Sequence, residues 1–212
     1  MLRARAFSRQ VLAMLLIAFS AGLSIGDAKA HELRPALAEI SFPEGRYEIA
    51  FYVNLEALLA DVGPGHDNVN DSLAVLDYLR FREMRPETVS SEYFAFESTF
   101  LNGLYIEDGE GADLERDTVS LLVPAVGDLT FARESVIKVG GPVPEGVAAV
   151  SVGWDANFGA IVVRTKEDAD GEGFSAFLIG GDVSGPIPVE GASQGAVARF
   201  FNGLWRWAVT GE

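Results

Sequence analysis

Residues 148–165 read AAVSVGWDANFGAIVVRT, and this stretch decides the fold class. Ala148, Val150, Val152 and Trp154 alternate with smaller or polar neighbours, and period two is the mark of a half-buried β-strand. Residues 155–159 (DANFG) form a turn in which Asp155 and Asn157 are turn formers. The β-branched run at 161–165 (IVVRT) then reads as a second strand. Together they predict a hairpin, the clearest in the chain, with Trp154 on the core face rather than serving as a ligand platform.

Working outward, the same alternation recurs upstream. Ala38, Ile40 and Phe42 share one face, and Tyr47, Ile49, Phe51, Val53 and Leu55 share one face of the next segment. Pro43-Glu44-Gly45 between them predicts another hairpin. Residues 61–71 (DVGPGHDNVND) lack periodicity and read as a loop, with Asp71 or Ser72 as a helix cap. Two helices are expected at about 72–84 and 86–102, Pro86 suiting a first turn and Gly103 a helix end. Strands are expected again at about 118–123 and 129–139. Residues 174–179 are apolar on both faces, as a central strand would be, and Gly180-Gly181 with Pro186 and Pro188 close the sheet region. The expected fold is therefore mainly β: an antiparallel β-sandwich-like domain over residues 31–192 with a two-helix insertion at about 72–102.

After residue 193 the period changes. Val197, Phe200, Phe201 and Leu204 fall on one helical face, with Trp205 and Trp207 beside it. This predicts a C-terminal amphipathic helix over 193–212. It is too short to span a bilayer. Two readings stay open: a helix docked on the sheet, and one that meets a membrane protein or lies at a membrane surface.

The other end of the chain reads as an export signal over residues 1–30. Arg3, Arg5 and Arg9 form a basic start, residues 11–19 (VLAMLLIAF) an apolar run, and Ala28-Lys29-Ala30 a small-any-small cleavage pattern. Cleavage would make His31 the first residue of an exported protein, periplasmic if the source has an outer membrane. Residues 1–30 carry four basic side chains (Arg3, Arg5, Arg9, Lys29) and one acid, Asp27. The remainder thus holds 12 Lys+Arg against 30 Asp+Glu, a net charge of −18. Such a field repels nucleic acid and anionic lipid headgroups, so no nucleic-acid partner is expected. There is no cysteine, so any metal site must use nitrogen and oxygen ligands.

Several landmarks together resemble a known family. They are His31-Glu32-Leu33-Arg34-Pro35-Ala36, Asn70-Asp71-Ser72 before Tyr78-Leu79-Arg80, and Gly153-Trp154-Asp155 with Phe158-Gly159 before Val162-Val163-Arg164. Phe177-Leu178, Gly180-Gly181 and Pro186-Ile187-Pro188 continue the pattern. In this order and spacing the chain is similar to the extracytoplasmic N-terminal region of the HupE/UreJ family, membrane proteins linked to hydrogenase and urease maturation and regarded as nickel or cobalt permeases. The resemblance implies an accessory role in metal handling beside a membrane partner. The family's metal motif, His-x5-Asp-His in a membrane helix, has no counterpart among His31 and His66. Transport is therefore not carried over, and this sequence resembles the soluble half alone.

The chemistry-bearing residues are few. No G-x-S-x-G elbow, P-loop, H-E-x-x-H or cysteine nucleophile is present, and the expectation is a non-enzyme. His31, once exposed by cleavage, would present an α-amine beside an imidazole. Those two nitrogens can close a chelate ring on one Cu(II) or Ni(II). His66 with Asp67 is the candidate for further ligands. The competing reading makes His31 a plain chain start and His66 an exposed loop residue. The function expected is an extracytoplasmic accessory or metal-capture domain for nickel, cobalt or copper. The alternatives are an interaction module that binds no metal and a copper enzyme built on an N-terminal histidine.

Overall fold

A computed structural model of the chain describes residues 34–63, 74–165 and 173–189, all within the unit His31–Glu212. The elements below are those of the described residues. Strands β1 (Ala36–Ser41) and β2 (Arg46–Val53) bury Ala38, Ile40, Tyr47, Ile49, Phe51 and Val53 on one face. The predicted hairpin joins them. Glu44 (φ 37°) and Gly45 (φ 72°) both take left-handed backbone, and Arg46 N–H donates to Pro43 O at 3.0 Å. Positive φ at both central residues matches the right-handed twist of paired strands.

Leu55 leaves the strand it was expected to continue. Asn54 Oδ1 accepts from Ala57 N at 3.2 Å and caps helix α1 (Leu55–Leu59), so the strand ends two residues earlier, at Val53. Helices α2 (Val75–Glu83) and α3 (Pro86–Asn102) form the expected pair, with Pro86 in the first turn and Gly103 at the end. The caps expected at Asp71 or Ser72 lie outside the described residues. Six further strands follow Gly103 in two groups: β3 (Leu104–Asp108), β4 (Asp117–Leu122) and β5 (Ser135–Pro142), then β6 (Ala149–Trp154), β7 (Ile161–Thr165) and β8 (Ser175–Leu178). A short β9 (Ile187–Pro188) ends the described chain.

These strands make two sheets, ordered β4-β5-β2-β1-β7-β8 and β3-β6-β9. Every pairing is antiparallel except β1 with β7. The fold is thus mainly β and sandwich-like, as expected, with one parallel pair. The smaller sheet and α3 together face the larger sheet. Phe51 of β2 stacks on Trp154 of β6 at 6.2 Å between centroids and meets Phe100 of α3 edge-on at 5.6 Å. Trp154 is a core residue, 2% exposed.

The 148–165 stretch is the first correction. β6 and β7 are not a hairpin: Trp154 pairs with Leu104, while Ile161 pairs with Ala36 and Leu178 in the other sheet. Both strands point apolar residues into one core from opposite layers, and alternation alone cannot tell that from pairing. The link is a 3-10 turn (Ala156–Phe158), capped by Asp155 Oδ1 accepting from Asn157 N at 2.8 Å. Gly159 then takes φ 90°, ψ −162°, a conformation for glycine, and its carbonyl accepts from Trp154 Nε1 at 2.8 Å. Gly153 is equally constrained, because a Cβ there would stand 2.6 Å from Asp182 O.

Two other expectations are corrected. The strand expected from residue 129 begins only at Ser135. Asp128 Oδ1 accepts from Thr130 N and Oγ1, both at 2.8 Å, and folds residues 128–131 into a turn. β8, expected to be central, is the last strand of the larger sheet, and Phe177 is 60% exposed. Apolar residues on both faces therefore did not mark burial on both faces.

Two core tyrosines link packing to pH. Burial pushes Tyr47 and Tyr93 up to about 12; Tyr47 donates to Glu115 O at 2.8 Å, and Tyr93 shares a 2.8 Å hydrogen bond with Thr118 Oγ1. In the unfolded chain a phenol releases its proton near pH 10. Stability present below pH 10 is therefore lost as pH rises through 12, because the unfolded state gives up these protons first. The urea midpoint should fall between pH 9 and pH 11.5 by more than in a Tyr93→Phe variant. Equal falls would remove Tyr93 from this account.

Candidate functional site

The residues singled out from sequence all fall where the structure is not described. His31, His66 and Asp67, and Val197, Phe200, Phe201, Leu204, Trp205 and Trp207, lie outside the described residues. Among the described residues no group of three or more His, Cys, Asp or Glu could hold a metal ion, and no helix is long and apolar enough to cross a membrane. What the described residues do build is a cleft.

The cleft forms where three chain segments end or turn. The first is the end of α1. Val62 N–H donates to Ala57 O at 3.0 Å and Asp61 N–H to Leu58 O at 3.2 Å, the paired bonds of a Schellman helix stop. Its left-handed position, usually glycine, is Asp61 at φ 55°. An aspartate tolerates this backbone better than most residues and puts a carboxylate on the cleft wall. The second segment is the last turn of α3, which contributes Phe96, Thr99 and Asn102. The third is the sheet-switching turn with Asp155, Asn157 and Phe158.

Gly103 locks the second and third segments together. Asp155 N–H donates to Gly103 O at 2.7 Å, and a Cβ on Gly103 would stand 2.5 Å from the Phe158 ring. Phe158 in turn meets Trp154 edge-on at 5.7 Å and Phe96 at 6.3 Å. The cleft is about half open to solvent and has a volume of about 640 Å³. Its lining residues include the apolar Leu58, Leu59, Phe96 and Phe158 and the polar Asp61, Asp155, Asn102 and Asn157. Among the described residues no Lys, Arg or His lines it.

A buried ion pair holds α1 and α2 in place beside this cleft. Glu56 of α1 is fully buried, and its Oε1 accepts from Arg133 Nε. Arg133 also donates to Met84 O and Pro124 O, both at 3.2 Å, and to Phe81 O at 3.3 Å. One guanidinium thus satisfies carbonyls at the end of α2 and in the loop before β5. Glu56 Oε2 and Ser135 Oγ are buried with no hydrogen-bond partner among the described residues. Neither Arg133 nor Asp61 stood out in the sequence. The one readable signal was an aspartate, two residues before a glycine, at the end of an apolar run.

The cleft also explains residues that carried the family resemblance. Gly153-Trp154-Asp155 and Phe158-Gly159 build the sheet switch, and Gly181 packs against Ala156 within it. They are fold-making residues first. The fold and cleft define a two-layer β domain that presents a preformed cleft at one end of its larger sheet. No protein-family model matches the chain, and no curated protein matches its sequence.

Proposed function

We propose that the chain is an exported accessory domain of HupE/UreJ type that captures a divalent transition metal, copper, nickel or cobalt, and works with a membrane partner. One observation carries this reading: the attachment points of both histidines lie at the cleft end. Ala36 opens β1 opposite Ile161, and its N–H donates to Ala160 O at 2.9 Å, directly after the cleft-lining turn. Val62 lines the cleft, and Gly63 follows it. His31 is five residues before Ala36 and His66 three after Gly63, so extended chain would reach at most about 18 Å and about 11 Å. The described residues that precede and follow these two histidines in sequence thus come together at one end of the domain. The apolar stripe Val197, Phe200, Phe201 and Leu204, with Trp205 and Trp207, is the segment that meets the membrane partner.

Metal titration of the mature protein tests the reading. One Cu(II) should bind per chain, with Ni(II) weaker, following the order for nitrogen and oxygen sites. An α-amine titrates near about 7.7–8.0 and an imidazole near about 6.5, so affinity should fall as pH drops through that range and protons compete. His66→Ala should weaken copper binding by roughly tenfold or more, at least the 10–100-fold scale set by losing even a partner that orients a ligand. No saturable binding of any of the three metals would leave an interaction module that binds no metal. Reductant-dependent oxygen consumption by the copper-loaded protein would instead make it a copper enzyme.

A further inference from the structure

We infer that the outward face of the larger sheet pairs two copies of this chain about a two-fold axis. Phe51 of β2 meets α3 and the smaller sheet, so the neighbouring Tyr52 belongs to the opposite, outward face. Outward positions of such a sheet are ordinarily polar. Here one outward row is apolar or aromatic on all six strands: Phe177, Val162, Leu37, Tyr52, Val136 and Leu122 are successive register partners from β8 to β4. The four central side chains are half-buried, while Phe177 is 60% and Leu122 62% exposed. Six strands make this row about 24 Å long, and an exposed apolar stretch of that size marks an interaction surface.

Charge selects a second copy as the occupant. Residues 31–212 carry a net charge of −18, so two copies repel over most of their surface. The outward face is close to balanced, with Arg46, Lys138 and Arg164 against Glu39, Glu48, Asp117 and Glu134. The Tyr52 phenol is pushed up by burial first, then by Glu39 and by Glu134, so the Glu134 carboxylate stands within electrostatic reach of Tyr52 on this face. Along β5 the outward positions are Glu134, Val136 and Lys138, two residues apart. A two-fold axis lying along the row sets Val136 against Val136 of the second copy. It also sets each Lys138 over Glu134 of the other copy, so two ion pairs flank one apolar stripe. A two-fold interface requires such a self-complementary patch, and stacked sheets reach their usual angle of about 30° by a small tilt of that axis. A face about 24 Å by about 20 Å buries roughly 500 Å² per copy, and the total of about 1,000 Å² is the lower bound for a specific interface. The dimer is therefore weak and reversible. This inference does not depend on the metal reading.

The test is sedimentation equilibrium of metal-free protein comprising residues 31–212, from about 1 µM to about 500 µM, the range in which an interface of this size associates. Monomer should convert to dimer as concentration rises. The double variant Leu122→Glu, Phe177→Glu should stay monomeric and keep its thermal midpoint, because both side chains are already mostly exposed. Lys138→Glu and Glu134→Lys should each weaken the dimer by roughly tenfold or more, since either one sets like charges together twice. Combining the two should restore it. A monomer at every concentration would overturn the inference, whether the C-terminal segment or another protein covers the row. A dimer indifferent to Leu122→Glu, Phe177→Glu would overturn it too, as would charge reversals that show no mutual rescue. Monomer that pellets with phosphatidylcholine vesicles unless Leu122 and Phe177 are changed would make the row a membrane surface and equally overturn it.

Discussion

Arg133→Met should lower the thermal midpoint of protein comprising residues 31–212 by roughly 10 °C. Removing one partner of a buried pair leaves an uncompensated charge and costs about 3–5 kcal/mol. For a domain of this size each kcal/mol moves the midpoint by about 2–4 °C. Here the loss is compounded, because the carbonyls of Phe81, Met84 and Pro124 lose their donor along with Glu56. The double variant Arg133→Met, Glu56→Leu should recover part of the loss by removing the stranded carboxylate, but not the part due to the carbonyls. Calorimetry of the three proteins decides. A single variant as stable as the parent would mean that the pair does not hold the helical insertion to the sheet.

Gly141→Ala should be at least as damaging, and for a different reason. Gly141 pairs with Tyr47 in the register of β2 and β5, and the irregular segment leading into β4 passes directly over it at Glu115. A Cβ at 141 would stand 1.8 Å from Glu115 O, a backbone atom that also accepts the Tyr47 hydroxyl. Backbone cannot swing aside as a side-chain tip can, so the edge formed by β4 must move and the tyrosine must lose its partner. Overpacking typically costs about 1–3 kcal/mol, and this contact with backbone belongs at or above the top of that range. Gly146→Ala is the control. Its φ of +88° strains an alanine, but nothing stands within 4 Å of the added carbon, so the cost should stay near 1–2 kcal/mol. Denaturant unfolding that ranks the two variants the other way would contradict the packing described for Gly141.

How much of this was legible beforehand differs by level. Alternation at Tyr47, Ile49, Phe51 and Val53 gave β2 and its buried face, because side-chain direction in a strand is local. The bounds of α3 followed from Pro86 and Gly103 for an equally local reason. Pairing is not local. The alternation of Val150, Val152 and Trp154 is the same whether the next strand lies beside them or across the core, and only the glycine conformation at Gly159 and the Trp154 hydrogen bond turn the chain to the other sheet. The edge position of β8 was hidden likewise, since its composition carries no record of having one neighbour. The cleft was illegible because Asp61, Asn102 and Asp155 are far apart in sequence and each looked like an ordinary cap or turn former. Arg133 was hidden inside a segment expected to be strand, where the Asp128 turn intervenes.

The central claim, that the chain captures metal through a histidine freed at its own N-terminus, is tested most directly by one comparison. Protein beginning at His31 is set against protein carrying one extra methionine before it, and Cu(II) affinity and electron paramagnetic resonance spectra are recorded for both. The extra residue turns the α-amine of His31 into an amide and removes it as a ligand without touching any described residue. The account predicts weaker copper binding, by roughly tenfold or more, and a changed spectrum in the extended protein. Equal affinities with identical spectra would remove the terminal amine from the site and contradict the claim.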